Sequence, residues 1–275
     1  MKNTDVFTFC LLFVLLLPSF ALGEAGRGEF SLTPVVNYFT WKESGSSGER
    51  IVKESGVIYG LQGGVKGIPL YRVGRQSLLL SGDLLIYGGV VGYDGRQNLT
   101  NLPVSTDVDY VGSRLRIDAG WAMPVHGSIL EPFGGVTYRF WLRNLHSSSA
   151  VDGSGNRVPV SGTTEYWNDI SGRMGVRWFD FSLAPGWKLF AEGGAQYPFY
   201  VSNTVDTGYG SATLEPRGGM TPFGEVGLSI KRLRFALTYE EQRYNRSSTL
   251  VVGPYFVHQP ESVGEYFGFS VGYSF

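Results

Sequence analysis

Three histidines and a closely spaced pair of aspartates are the residues best suited to catalysis in this sequence. Asp107 and Asp109 are two residues apart, and the histidines are His126, His146 and His258. A histidine works as a general base when a carboxylate orients its ring. The residues two positions before the histidines carry no carboxylate: they are Pro124, Asn144 and Phe256. The sequence therefore predicts a protein that is not an enzyme, with aspartates that bind cations or face solvent.

Other residue combinations that could do chemistry are also incomplete. Serine follows histidine at two positions, in His126-Gly-Ser128 and His146-Ser-Ser148, but two common residue types at that spacing match readily by chance. The three separated histidines make no metal cluster in the sequence. The formal net charge of −1, without basic runs, argues against nucleic acid as a partner. We expect no metal site and no cofactor.

The first 23 residues have the pattern of an export signal. Lys2 precedes an almost continuous apolar run from Val6 to Leu17, and Ala21-Leu22-Gly23 places small residues where a signal peptidase cleaves. We predict cleavage after residue 23, which leaves residues 24–275 as one mature domain. The single cysteine, Cys10, would leave with the signal. The mature chain then has no disulfide framework.

The last nine residues form the clearest strand pattern in the chain. Large apolar residues alternate there with glycine and serine, and an aromatic residue is last. A period of two describes a strand with one apolar face and one small or polar face. We assign these apolar residues as an assembly signal: Phe267, Phe269, Val271, Tyr273 and Phe275.

Ten segments of the chain alternate in this way. No stretch after the export signal reaches the ~18 to 20 apolar residues that a membrane-spanning helix needs, so a helical membrane protein is excluded. A β-barrel escapes that limit because each strand shows its apolar face at every second residue. We predict an all-β, antiparallel, up-and-down transmembrane barrel of about ten strands, with eight or twelve as alternatives. The segments are Phe30–Trp41, Ser55–Lys66, Ser77–Val91, Val108–Ala122, Ile129–Arg143, Glu165–Phe179, Lys188–Val201, Thr221–Ile230, Leu233–Gln242 and Val263–Phe275.

The connections between these segments alternate in length. Those after the odd-numbered segments are long and polar, and those after the even-numbered segments are short, the tightest being Lys231-Arg232. Outer-membrane barrels combine short periplasmic turns with long external loops. An even strand number then places both termini on the periplasmic side. The long connections are Lys42–Glu54, Tyr93–Asp107, Asn144–Thr164, Ser202–Met220 and Arg243–Ser262.

The polar faces of the segments carry seven cations and seven anions. A charged side chain on the lipid face costs roughly 2 to 4 kcal/mol at the bilayer midplane, so these residues must face the lumen. Equal numbers of both signs favour a cross-linked, mostly filled lumen over an ion-selective channel. A small porin remains the alternative. The predicted lumen network is Lys66, Asp83, Arg114, Arg116, Asp118, Glu131, Arg139, Asp169, Arg173, Arg177, Glu192, Glu225, Arg234 and Glu240.

The closing strand and the export signal together resemble small Gram-negative outer-membrane barrels of the OmpA-like and opacity-protein kind. This resemblance implies localisation in the bacterial outer membrane, contact with outer-membrane lipid and lipopolysaccharide, and insertion by the barrel-assembly machinery. It also implies a structural or surface-binding role through the outer loops. Those families usually have eight strands, whereas this chain has ten predicted segments. We favour a monomer.

Two enzyme families of the outer membrane share partial features with the chain. Omptin surface proteases have ten strands and pair two aspartates with an Asp-x-His dyad; Asp107 and Asp109 resemble the first pair, and the second is missing. Lipid A deacylases have the His-x-Ser spacing, here at His126 and His146. A surface hydrolase of either type is therefore the third alternative.

Overall fold

The computed structural model describes residues 28–96, 102–206 and 210–275. The predicted export signal, residues 1–23 with Cys10, lies outside the described residues. The described chain is built from antiparallel strands, and no helix in it is long and apolar enough to cross a membrane. The strands are β1 (Glu29–Ser44), β2 (Arg50–Val73), β3 (Gln76–Arg96), β4 (Pro103–Val125), β5 (Ser128–Leu145), β6 (Ser148–Val151), β7 (Arg157–Val160), β8 (Thr163–Ala184), β9 (Trp187–Asp206), β10 (Ser211–Leu214), β11 (Thr221–Ile230), β12 (Leu233–Tyr244), β13 (Leu250–Val252), β14 (Tyr255–Val257) and β15 (Glu261–Ser274).

Ten of these strands close into a barrel, which confirms the predicted fold class and strand count. Each barrel strand pairs with its neighbour in the chain, and the last strand, β15, pairs with the first, β1. Ser31 is level with Ser274, and Tyr38 is level with Phe267. Closure removes the free edges that a sheet would otherwise expose. The order around the barrel is β1, β2, β3, β4, β5, β8, β9, β11, β12 and β15.

The two ends of the barrel differ in their connections. At one end, called the turn end, all four connections are two residues long: β2 to β3, β4 to β5, β8 to β9 and β11 to β12. Between β4 and β5, His126 and Gly127 have φ angles of 46° and 82°. Positive φ at both positions matches the right-handed twist of the strands. The opposite end, called the loop end, carries the longer connections, and β1 begins and β15 ends at the turn end.

The barrel strands extend further toward the loop end than the sequence predicted. β1 continues to Ser44 and β2 starts at Arg50, so the predicted loop Lys42–Glu54 is mostly strand. Two other predicted loops contain the hairpins β6–β7 and β13–β14, and a third contains β10. The reason is that polar residues in these stretches alternate with buried apolar ones such as Val52 and Val104. Continued pairing then satisfies the backbone groups while those side chains fill the interior.

The outward face of the barrel is apolar along its whole circumference. Side chains such as Tyr59, Met174 and Val226 are more than half exposed on the wall, whereas Asp169 and Arg173 on the strand of Met174 are buried in the lumen. A soluble monomer rarely exposes an apolar surface of this extent. The outward face is therefore the one that fits acyl chains. The predicted assembly residues lie on this face of β15, and Phe267, Phe269, Tyr273 and Phe275 are all exposed.

Candidate functional site

The half of the lumen nearer the turn end is crossed by ion pairs. Arg177 on β8 is bound by three carboxylates: it donates to Glu192 over 2.7 Å, to Glu131 over 2.9 Å, and to Asp118. Its guanidinium also lies 3.9 Å from the ring centroid of Phe133. A buried guanidinium is stable in low dielectric when all its donors have partners. This arginine therefore ties β4, β5 and β9 to β8.

A second group of ion pairs spans the full width of the lumen. Arg114 on β4 donates to Glu240 on β12 over 2.8 Å, and these strands are diametrically opposite in the ten-strand ring. Glu240 also binds Arg139, and Asp83 binds Arg116 over 2.8 Å. Charged contacts therefore span the lumen from one wall to the other at this level.

The structure brings thirteen of the fourteen residues of the predicted lumen network together in ion pairs. Lys66 is the exception: within the described residues, its ammonium has no carboxylate within 4.0 Å. It lines a cavity of about 110 Å³ that reaches the turn end, where Glu29 and Ser274 also line it. The cavity continues among the ion pairs, where Arg114, Arg139 and Glu240 also line it.

The half of the lumen nearer the loop end is filled by aromatic rings. Trp41 and Trp167 lie on opposite strands of the ring, β1 and β8, and their ring centroids are 5.5 Å apart. Trp141 stacks on Trp167 at 5.0 Å with 10° between the planes, and Tyr244 lies 5.4 Å from Trp167. All four are at most 2% exposed. We call Trp41, Trp141, Trp167 and Tyr244 the aromatic plug.

The polar groups next to the aromatic plug are paired as well. Trp41 Nε1 donates to Glu43 and Trp167 Nε1 donates to Glu165, each over 2.9 Å. Arg143 lies between Glu165 and Glu54 and donates to both. The indole N–H groups of Trp41 and Trp167 and the hydroxyl of Tyr244 thus have carboxylate partners, as buried polar groups require.

Sequence reasoning missed the aromatic plug and the carboxylates beside it. It assigned large apolar side chains to the outward face and charged ones to the lumen. The signal that could have found the plug is the alternation itself. Trp141 lies midway between Arg139 and Arg143 on β5, so all three side chains share the inward face. In the same way, Trp167 shares the face of Asp169. Near the loop end, the odd or even position of a residue along its strand identifies the lumen residues, whereas side-chain polarity does not.

His146 does have a carboxylate partner, and the sequence-based expectation was wrong on this point. Its Nε2 lies 2.7 Å from Asp109 Oδ2, and Asn144 Nδ2 donates to the same oxygen over 3.2 Å. Asn144 is level with Asp109 on neighbouring strands, so the partner comes from across the sheet and not from two residues earlier. The hydrogen bond to Asp109 raises the pKa of His146. The pair is exposed on the outer wall at the loop end.

The other candidate residues for chemistry are dispersed. His126 lies in the two-residue turn at the turn end, while Asp109 and His146 lie at the loop end. Ser148 Oγ donates to the Ser105 carbonyl over 3.1 Å, so its hydroxyl proton is already engaged. No group of three or more His, Cys, Asp or Glu that could hold a metal ion occurs among the residues that the structure describes.

Comparisons with known proteins agree with this fold. No protein-family model and no curated sequence relative matches the chain. The structure is similar to the outer-membrane protease OmpT from Escherichia coli, with a TM-score of 0.55, 8% sequence identity, and coverage of 90% of this chain and 96% of OmpT. The transport unit of the autotransporter AIDA-I from Escherichia coli also matches, with a TM-score of 0.44, 11% identity and 92% coverage of both chains. At such low identity, the likeness to OmpT shows the fold alone: this chain is an antiparallel barrel of the outer-membrane type.

Proposed function

We propose that the protein is an integral, non-enzymatic outer-membrane barrel that is closed to solutes and acts through its loop end, as a structural or surface-binding protein. The observation that carries this proposal is the aromatic plug. Trp41 and Trp167 meet across the full width of the barrel, and the ion pair of Arg114 with Glu240 crosses it at a second level. A porin needs a continuous aqueous path, and side-chain contacts that cross the lumen at two levels oppose one.

The loop end offers the surface through which such a barrel would act. The hairpin β13–β14 extends from it, and its cross-strand neighbours Val251 and Phe256 are 68% and 77% exposed. Ser247 and Gln259 hold the base of that hairpin, because Ser247 N donates to the Gln259 carbonyl and Gln259 N donates to Ser247 Oγ. A fixed base with an exposed apolar tip suits contact with a partner surface.

The connections support an orientation for this barrel. Outer-membrane barrels keep short turns in the periplasm, so the proposal puts the turn end, with the start of β1 and the end of β15, in the periplasm and the loop end outside the cell. The export signal over residues 1–23 and the assembly residues of β15 would deliver the chain to the barrel-assembly machinery.

Planar-bilayer recording of the purified protein tests the proposal. The expected trace shows no steady conductance, because the ion pairs and the aromatic plug close the lumen at two levels. The double variant Trp41→Ala and Trp167→Ala should show larger current than the single variant Phe256→Ala, which removes an aromatic ring outside the lumen. Steady conductance of the unaltered protein would overturn the closed-lumen proposal in favour of a small porin.

A surface hydrolase is the second candidate, because one observation favours it: His146 and Asp109 form an oriented pair at the loop end. In this role His146 would be the general base and Asp109 its positioning partner. Assays with fluorogenic peptide and acyl-ester substrates, on the unaltered protein and on His146→Ala, test this candidate. A turnover that disappears in His146→Ala would support the hydrolase and contradict the non-enzymatic proposal.

A further inference from the structure

Three basic side chains form a level row across the outer wall near the loop end. Arg243 on β12 is level with Val263 on β15, Val263 is level with Lys42 on β1, and Lys42 is level with Lys53 on β2. Lys42 shares the outward face of Tyr38, four residues away and 53% exposed, and level residues on neighbouring strands share a face. We call Lys42, Lys53 and Arg243 the basic rim row.

One charge of the basic rim row is left without a counterion. Lys42 Nζ pairs with Glu265 over 2.8 Å, and Arg243 pairs with Glu241 over 3.2 Å. Lys53 has no carboxylate within 4.0 Å among the described residues, and its cross-strand neighbour Asp94 pairs with Arg50. Like charges directly opposite on neighbouring strands destabilise a sheet. Two level lysines on an outward face therefore favour an anion between them.

The height of the row identifies the kind of anion. Directly below Arg243 and Lys42 on the same strands lie Tyr239 and Tyr38, and Phe267 lies between them, 57% exposed on the wall. Aromatic residues of this kind mark the membrane interface. Four residues of tilted strand raise the basic row about 10 Å above that level. Long basic side chains at this height can reach down to the phosphates of outer-leaflet lipids.

The opposite side of the rim lacks this chemistry. There, Asp109 on β4 is level with Asn144 on β5, and Asn144 is level with Thr164 on β8. This row contains neutral and acidic side chains, and the one nearby basic group, His146, is bonded to Asp109. The level row of three outward basic residues on β12, β1 and β2 therefore has no counterpart at Asp109, Asn144 and Thr164.

We propose that the basic rim row binds a phosphate group of an outer-leaflet lipid, a phosphorylated glycolipid such as lipopolysaccharide. Lys42 and Lys53 share the phosphate, Arg243 contacts the next anionic group, and the acyl chains lie against Tyr38 and Phe267. The ammonium groups supply charge and the aromatic wall supplies apolar contact, so a lipid fits the surface better than a soluble phosphate does. The inference rests on the proposed orientation of the barrel, with the loop end outside.

Native mass spectrometry of the purified barrel with added lipopolysaccharide tests the inference. The measurement is the fraction of barrels that retain one glycolipid, for the unaltered protein, Lys53→Gln, and the double variant Lys42→Gln and Lys53→Gln. Each lysine should contribute about fivefold in retention, which corresponds to about 1 kcal/mol per basic residue near an anionic surface. Lys188→Gln is the matched control, because Lys188 forms an exposed pair with Asp180 at the turn end. Lys53→Arg should retain binding.

Three results would overturn the inference. The first is equal retention by the double variant and the unaltered protein, with heat-modifiable gel migration showing that both are folded. The second is equal retention of dephosphorylated lipopolysaccharide by the unaltered protein, which would remove the phosphate from the recognition. The third is full displacement of the glycolipid by millimolar inorganic phosphate, which would assign the row to free phosphate. A conducting lumen would contradict the closed-lumen proposal but would leave all three lipid-retention results unchanged. Failure of the proposed function can therefore be distinguished from failure of this inference.

Discussion

The two halves of the lumen contain different chemistry. Near the turn end, Arg177 and Glu240 each connect several strands through ion pairs. Near the loop end, Trp141 and Trp167 stack on each other in the lumen. Beside them, Arg143 pairs with Glu54 and Glu165. The first half depends on matched charge, and the second depends mainly on packed volume. The comparison shows that one barrel interior can be cross-linked mainly by charge at one level and packed mainly with aromatic rings at the next.

The difference predicts different responses to substitution. Removing one member of an ionic network leaves its partners charged, buried and unpaired, which costs more than the lost attraction. Removing a ring from a packed cluster leaves a cavity, whose cost depends on how far its neighbours can relax. The ionic half should therefore be sensitive to charge and the aromatic half to size.

The largest effect is expected from Arg177→Met in the ionic half. The change leaves Glu192, Glu131 and Asp118 with one cation fewer, and we expect a loss of about 3 to 5 kcal/mol in the free energy of unfolding. Urea titration of the barrel in lipid vesicles, followed by gel migration, measures this loss. Lys188→Gln, which breaks an exposed pair, should change stability by less than about 1 kcal/mol. Equal effects of the two variants would contradict a buried network.

Trp167→Ala in the aromatic half should cost nearly as much, about 3 to 4 kcal/mol, because the ring contacts three other aromatic side chains. Unlike Arg177→Met, it should be partly rescued by size alone, so Trp167→Phe should recover about half of the loss. The same vesicle titration measures both variants. Trp178→Ala, which removes an indole from the outward wall, is the matched control. If Trp167→Phe were as unstable as Trp167→Ala, packed volume would not explain this half.

A smaller effect is expected at the boundary between the halves. Tyr244 belongs to the aromatic plug, and its hydroxyl donates over 2.6 Å to Asp169, which pairs with Arg139 of the ionic half. Tyr244→Phe keeps the ring and leaves a buried carboxylate oxygen without that donor. We expect a loss of about 1 to 3 kcal/mol. A double-mutant cycle with Asp169→Asn should show coupling between the two changes in the free energy of unfolding. Strictly additive changes would mean that the two halves are energetically independent.

The smallest effect is expected outside the lumen, at His146. Its pKa is raised by the hydrogen bond to Asp109. Protonated His146 therefore helps to hold the loop end at pH values below its ordinary pKa, and this contribution is lost as the pH rises through the raised value. A nuclear magnetic resonance titration of His146 should show the raised pKa, and Asp109→Asn should lower it. An unchanged titration in Asp109→Asn would exclude the pair as the cause.

Most of the ionic half could be predicted from sequence, whereas the aromatic half could not. Arg114 and Arg116 alternate with Leu115 and Ile117 on β4. Because a charged side chain cannot face lipid, the two arginines must face the lumen. Trp41 and Trp167 are apolar and fit either face by polarity alone. The same limit applies to His146, whose partner Asp109 is 37 residues earlier in the chain and becomes a neighbour only through the pairing of β4 with β5.

By itself, the sequence determined the all-β class, a barrel of about ten strands, the short turns at one end and the inward charges of the ionic half. Each of these follows from a period of two and from local turn chemistry, which depend only on nearby residues. Only the tertiary structure decided that Trp41 meets Trp167, that Arg114 reaches Glu240, and that Lys42 lies level with Lys53. Those contacts depend on strand number, tilt and register together, because closing the barrel sets which side chains face each other across the lumen and along the rim.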